Sequence, residues 1–145
     1  MKYWHELLAA QAKARPEAAG FSDSVGVSWS YGALATAVAE LSQVITQAGV
    51  RPGDRVVVLA ENCCAVVAAL LASSQCGAVA VPVNARMSSG EVDRILDHAR
   101  PVVVLISTQI EGSAQSHAAR LDATEITGSF GAMHMACPYP SSADA

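Results

Sequence analysis

At 145 residues the chain has the length of one domain able to bury its own core, which argues against two complete domains. Apolar residues make up 52% and charged residues 15%, an excess of oil over charge that points to neighbouring surfaces covering part of the fold. The net charge is -4 and no run of Lys and Arg is present, so a phosphate-tracking stripe is missing and nucleic acid is excluded as a partner.

The opening MKYWHELLAAQAKARPE places aromatic, His and Glu residues where a signal peptide needs an unbroken apolar core, and a cytoplasmic location is expected. Trp4, Leu7 and Leu8 mark an amphipathic helix, followed by a short extended pair near Phe21 and Val27-Ser28-Trp29. Leu34, Val38, Leu41, Ile45 and Ala48 then recur at helical spacing, with Ser30 to cap the start and Gly49 the end. Pro52-Gly53 introduces a β-branched strand, Val56 to Leu59, and Asp54 and Arg55 are expected to close an exposed turn before it.

From Asn62 through Ala85 the chain has no charge, a length that a bilayer span would need. Ser73-Ser74-Gln75, Gly77 and Pro82 break that run into a helix from about Cys63 to Gln75, a turn, and a strand from Ala78 to Val83. Asn62 is the expected cap of the helix. Ser88 and Glu91 form a capping box for a further helix that buries Val92, Ile95, Leu96 and Ala99, and Pro101 precedes a last strand, Val102 to Ile106.

Continuous apolar strands alternating with helices predict an α/β fold: a layered, mostly parallel sheet with helices on both faces, filling residues 1–106. Beyond Ser107 the periodicity fades. Residues 107–145 are expected to be a connector or irregular tail, with at most a short helix near Ala114 to Leu121.

Cys63, Cys64, Cys76 and Cys137 fit neither a disulfide framework nor paired C-x-x-C spacing, so reduced thiols are expected. His134 and Cys137 offer two ligands where zinc takes three or four, and no metal site is assigned. Cys63 and Cys64 begin a helix, where the dipole can activate a thiol; burial against the sheet is the alternative and the one expected. His5, His98, His117 and His134 have no convergent partners in sequence and receive no acid–base role.

Three stretches stand in a telling order: Ser30-Tyr31-Gly32-Ala33-Leu34, then Val50-Arg51-Pro52-Gly53-Asp54-Arg55-Val56 with Glu61-Asn62, then CGAVAVPVNAR from Cys76 to Arg86. From about Trp4 to Ile106 the chain resembles the N-terminal region of the AMP-forming acyl-CoA synthetases. That adenylate-forming family also holds luciferases and the adenylation domains of peptide synthesis. Ala33 departs from the pattern, standing where the family often has a glutamate that would complete a capping box with Ser30.

The resemblance implies part of the large N-terminal domain of a two-step ligase. In that chemistry a carboxylate attacks the α-phosphate of Mg-ATP to give an acyl-adenylate and pyrophosphate, and the CoA thiol then displaces AMP. The family's Ser/Thr/Gly-rich phosphate loop ending near a lysine is missing, since Lys2 and Lys13 are the only lysines. No catalytic residue is assigned. The expectation is an N-terminal fragment or truncated relative of an AMP-forming acyl-CoA ligase, inactive alone, with ATP, Mg and CoA as cofactors of the full-length enzyme.

The resemblance also implies one binding residue. In acyl-CoA ligases the arginine of the Asn-x-Arg stretch lies near the CoA nucleotide, which makes Arg86 the candidate contact to a CoA phosphate; a surface arginine at a strand end is the alternative. Asn84 is expected as a turn residue, Pro82 as a strand-edge residue and Gly77 as a helix exit. Expected partners are the remainder of the ligase or a self-associating copy, and homodimers are common among relatives. Two other readings stand beside this one: a free-standing, non-catalytic module that binds CoA or a protein, and an adenylation-domain fragment from peptide synthesis.

Overall fold

The computed structural model describes residues 2–110 and 112–144. Helix α1 (Trp4–Ala14) has its first turn closed by Glu6, whose carboxylate accepts from the backbone N–H groups of Lys2 and Tyr3. Strands β1 (Ala19–Ser22) and β2 (Ser28–Ser30) form a small antiparallel hairpin. Helix α2 (Tyr31–Gln47) starts where the Ser30 hydroxyl accepts from the Ala33 N–H at 3.1 Å. It ends beside Gly49, whose φ of 104° suits a residue without a Cβ.

There follow β3 (Arg55–Ala60), α3 (Cys64–Gln75), β4 (Val79–Asn84), α4 (Ser89–Ala99), β5 (Val103–Ile106), α5 (Ser113–Arg120), β6 (Thr124–Gly128) and β7 (Gly131–Ala136). The run from Asn62 to Ala85 thus divides into helix, turn and strand. No helix among the described residues is long and apolar enough to cross a membrane.

The large sheet has the order β4-β3-β5-β7-β6, with β3 parallel to β4 and β5, and β7 antiparallel to β5 and β6. Only β7 therefore runs against the others. Val56, Val58, Val103 and Leu105 face a core made with α1, α2 and α3, while Val57, Leu59, Val104 and Ile106 face a second core made with α4 and α5. Side chains alternate along a strand, so helices on both faces require both parities to be apolar. Burying each such side chain contributes about 1.5–3 kcal/mol. On α3, Ala65, Ala68, Ala69 and Ala72 are buried against the sheet. β4 is an edge strand, where Pro82 can lack its N–H, and Gly77 leaves α3 at φ 70°.

Three expectations are corrected. Residues 107–145 are no irregular tail: α5 packs on the second face, and β6 and β7 join the sheet through a turn at Ser129-Phe130. Residues 111 and 145 of that segment lie outside the described residues. The Ser129 N–H and hydroxyl both donate to the Glu40 carboxylate on α2, and Phe130 is buried in the first core. The chemistry that fixes the hairpin is thus supplied by a helix far away in sequence.

The N-cap of α3 is Cys63 rather than Asn62, and the Cys63 side chain makes no cap hydrogen bond. The Cys64 N–H instead donates to the Asp23 carboxylate at 2.9 Å, and the same carboxylate accepts from the Val25 and Val27 N–H groups. The Cys64 hydrogen bond first, with those of Val27 and Val25, holds the Asp23 carboxyl below its ordinary range. Both cysteines are buried, and burial first, then the neighbouring Asp23 charge, pushes the Cys64 thiol up to about 11. The burial expected of these two thiols is what the structure shows.

Asp54 is not a surface turn residue: it is 2% exposed. Its carboxylate accepts from the Ser141 hydroxyl at 2.6 Å, the Arg51 N–H at 2.8 Å, and the Ser142 hydroxyl and N–H at 3.0 and 3.1 Å. The Arg51–Asp144 ion pair lies beside this knot. Burial pushes the Asp54 carboxyl up, but the donors from Ser141, Arg51 and Ser142 outweigh it and hold the group below its ordinary range.

Asp54→Ala is expected to lower stability at neutral pH by roughly 2–3 kcal/mol in urea unfolding, because it orphans several donors at once. A depressed folded pKa means this contribution is complete above the ordinary aspartate range and is lost as pH falls through the folded value. Wild type and variant should therefore converge in acid; an equal gap at every pH would refute the assignment. For the thiols, alkylation at neutral pH followed by peptide mass spectrometry should modify the exposed Cys137 first. Cys63 and Cys64 should react only once urea opens the fold, and prompt labelling of either would contradict their burial.

Candidate functional site

Two parallel strands, β3 and β4, end side by side, and the helices that follow them leave by opposite faces of the sheet, α3 to one core and α4 to the other. A crevice opens at the carboxyl ends of these two strands. Here it is a cleft of about 560 Å³. Val58, Ala60 and Pro82 contribute from the strands, with Val66 of α3 and Ile110 beside them. Ser24, Glu61, Asn62, Asn84 and Arg86 bring polar groups to it.

Arg86 sits on a turn built by its own neighbours. The Asn84 side-chain oxygen accepts from the Arg86 N–H at 2.8 Å, the Met87 N–H donates to the Asn84 carbonyl at 3.1 Å, and the Ala85 N–H donates to the Ala60 carbonyl at 3.2 Å. Asn84 is thus a turn residue, as its type suggests. The Arg86 side chain is 76% exposed, and its Nε donates to the Glu61 carboxylate at 2.5 Å, while Glu61 is 14% exposed. That contact uses one of five guanidinium donors.

The arrangement suits an anion. Arg86 presents a planar fork of donors next to an apolar-lined crevice, and the Glu61 carboxylate holds the fork in place through a single bond. Acid–base machinery does not gather there. Among the histidines, His5 Nδ1 lies 2.9 Å from the Ser74 hydroxyl, His134 Nδ1 lies 3.2 Å from the Thr108 hydroxyl, His98 is exposed, and His117 is buried on α5. Among the described residues no three His, Cys, Asp or Glu side chains are grouped to hold a metal ion.

Sequence reasoning singled out Arg86 and placed Asn84 and Pro82 correctly around it. It missed Glu61 as the ion partner and Ser24 and Ile110 as lining residues. These come from the β1–β2 turn and from the segment after β5, distant in sequence, and only the strand order brings them to one end of the sheet.

Comparison with known proteins agrees with this architecture. The family model described as AMP-binding enzyme matches residues 8–136. A feruloyl-CoA synthase from Amycolatopsis sp is 39% identical over 97 residues, covering 66% of this chain and 20% of the synthase. The fatty acid:acyl-carrier-protein ligase MmaC of Mycobacterium marinum is 31% identical over 134 residues, covering 86% of this chain and 25% of the ligase. The crystal structure of IdnL1 superposes with a TM-score of 0.74 at 26% identity, covering 98% of this chain and 28% of that one. The chain thus spans about a fifth to a quarter of the length of these curated relatives.

Proposed function

The chain belongs to the AMP-binding enzyme family, and from that membership we propose that it is the N-terminal portion of an AMP-forming acyl-CoA ligase, inactive in adenylation by itself. The observation that carries the proposal is the position of Arg86, held on the Asn84 turn beside the cleft with most of its fork of donors unused by Glu61. In this reading the fork takes a phosphate of CoA. Similarity to a feruloyl-CoA synthase supports CoA as the acceptor.

The residues present do not fit ATP or Mg. A triphosphate cradle needs successive free N–H groups and a point cation, yet the only lysines are Lys2 and Lys13, at the two ends of α1, and neither lines the cleft. Adenylation therefore belongs to the whole ligase and is not routed through this chain. The partners in this reading are CoA, the remainder of the ligase and, at the level of assembly, a second copy, all in the cytoplasm where ATP and CoA are pooled.

A second reading is favoured by the likeness to MmaC, whose name makes an acyl carrier protein the acceptor. Adenosine 3′,5′-bisphosphate, the nucleotide end of CoA, separates the two because a carrier protein does not bear it. Titration calorimetry is expected to show binding that Arg86→Ala weakens about tenfold, as loss of a charge-assisted pair should. Glu61→Gln, which removes the competing carboxylate, should strengthen it. Binding indifferent to Arg86→Ala would end the CoA-phosphate assignment, and carboxylate-dependent exchange of pyrophosphate into ATP by this chain would end the claim that it is inactive alone.

A further inference from the structure

The turn that carries Arg86 is held from its other side by a buried histidine. His117 on α5 is 4% exposed. Its Nε2 lies 3.1 Å from the Ala85 carbonyl and 3.0 Å from the Met87 carbonyl, the carbonyls of the residues on either side of Arg86. Carbonyl oxygens only accept, so Nε2 bears the hydrogen and donates to both. On the opposite side Nδ1 faces Nε and Nη2 of Arg120, each 3.2 Å away. A guanidinium only donates, so Nδ1 accepts, and the two environments together select the Nε2–H tautomer.

Arg120 is itself anchored, with Nη1 2.6 Å from the Asp93 carboxylate and Nη2 3.4 Å from the Ser89 carbonyl, both on α4. The turn's N–H groups are thus satisfied by Asn84 and Ala60, and two of its carbonyls by His117. Fixing the carbonyls before and after Arg86 restricts the backbone dihedrals between them, and with them the direction in which the guanidinium leaves the chain.

We propose that His117 is the positioning residue for the Arg86 anion contact: a buried imidazole that sets the backbone of residues 85–87 so that the guanidinium stands at the cleft. This rests on the reading of Arg86 as a phosphate contact. A core histidine that merely stabilises the fold would loosen the whole molecule when removed. A positioning residue loosens one turn and weakens one ligand.

The first test needs only the wild-type chain labelled with nitrogen-15. Long-range proton–nitrogen spectra should show the His117 hydrogen on Nε2, and a hydrogen on Nδ1 overturns the proposal even if no variant folds. In hydrogen exchange, His117→Ala should speed the Arg86 and Met87 amides about tenfold relative to those of Val58 and Leu105. His117→Gln, whose side-chain amide can donate to the same carbonyls, should restore protection. Uniform acceleration across the chain, or no rescue by glutamine, overturns the positioning role.

Titration with adenosine 3′,5′-bisphosphate separates the two claims. Binding that His117→Ala weakens several-fold and His117→Gln recovers supports the proposal. Binding lost in Arg86→Ala but intact in His117→Ala overturns the role of His117 alone. No binding by the wild-type chain overturns the Arg86 reading together with the role built on it.

Discussion

The constraint from which the structure follows is that β3 has no wet face. Val56 and Val58 pack into one core, Val57 and Leu59 into the other, and the strand is flanked on both edges by parallel neighbours. A strand buried in this way requires a helical layer on each side, which α2 and α3 supply on one face and α4 and α5 on the other. The connection from β3 to β4 passes over the first face, and the return from β4 to β5 passes over the second. The two crossovers run in opposite directions on opposite faces, so they share one hand. The cleft lies at the carboxyl ends of β3 and β4, floored by Val58, Ala60 and Pro82 of those strands.

The two ends of the sheet are finished differently. At the amino end of β3, Asp54 is buried and accepts four hydrogen bonds, three of them from Ser141 and Ser142. Nearby, Tyr139 donates to Asp97 while the Arg100 guanidinium lies over its ring at 4.4 Å. A buried, fully satisfied carboxylate ties distant segments together and makes this end rigid. At the carboxyl end polar groups hold one turn: Asn84 and Ala60 accept from its N–H groups, the buried His117 donates to two of its carbonyls, and Arg86 pairs with the mostly buried Glu61.

Local chemistry was legible and distant chemistry was not. Ser30 caps α2, Ser88 and Glu91 form a capping box for α4, and the β-branched runs became β3 and β5, because each signal lies within a few residues of the structure it specifies. In the β6–β7 hairpin, Thr124, Ile126 and Thr127 do carry a β-branched signal but only over a short stretch, while Ala132, Met133, His134 and Met135 of β7 carry none. Its strand state depends on pairing with β5 and on Glu40 holding Ser129. Pro52-Gly53-Asp54 reads as an exposed turn whether or not it is covered, and the cover, Ser141, is 87 residues away. Asn62 was a plausible cap that lost to Asp23, a residue 41 positions before Cys64. The cleft was half legible for the same reason: Arg86 and Asn84 share a stretch, but Glu61, Ser24 and Ile110 reach it only through topology.

The ion pair beside the cleft and the imidazole behind the turn act on the same residue, Arg86. Arg86 is exposed while Glu61 is mostly buried, and they share a single hydrogen bond; a phosphate meeting the guanidinium through two parallel hydrogen bonds would compete with it. Yet the pair orients a long side chain that would otherwise sample many rotamers, and His117 fixes the backbone from which that side chain springs. Freezing a rotamer-rich side chain on binding costs about 0.5–1.5 kcal/mol. With both the backbone and the side chain restrained in the unliganded chain, part of that loss is already met before a ligand arrives. If Arg86 takes an anion as proposed, Glu61 is the partner it exchanges while the imidazole keeps the turn unchanged.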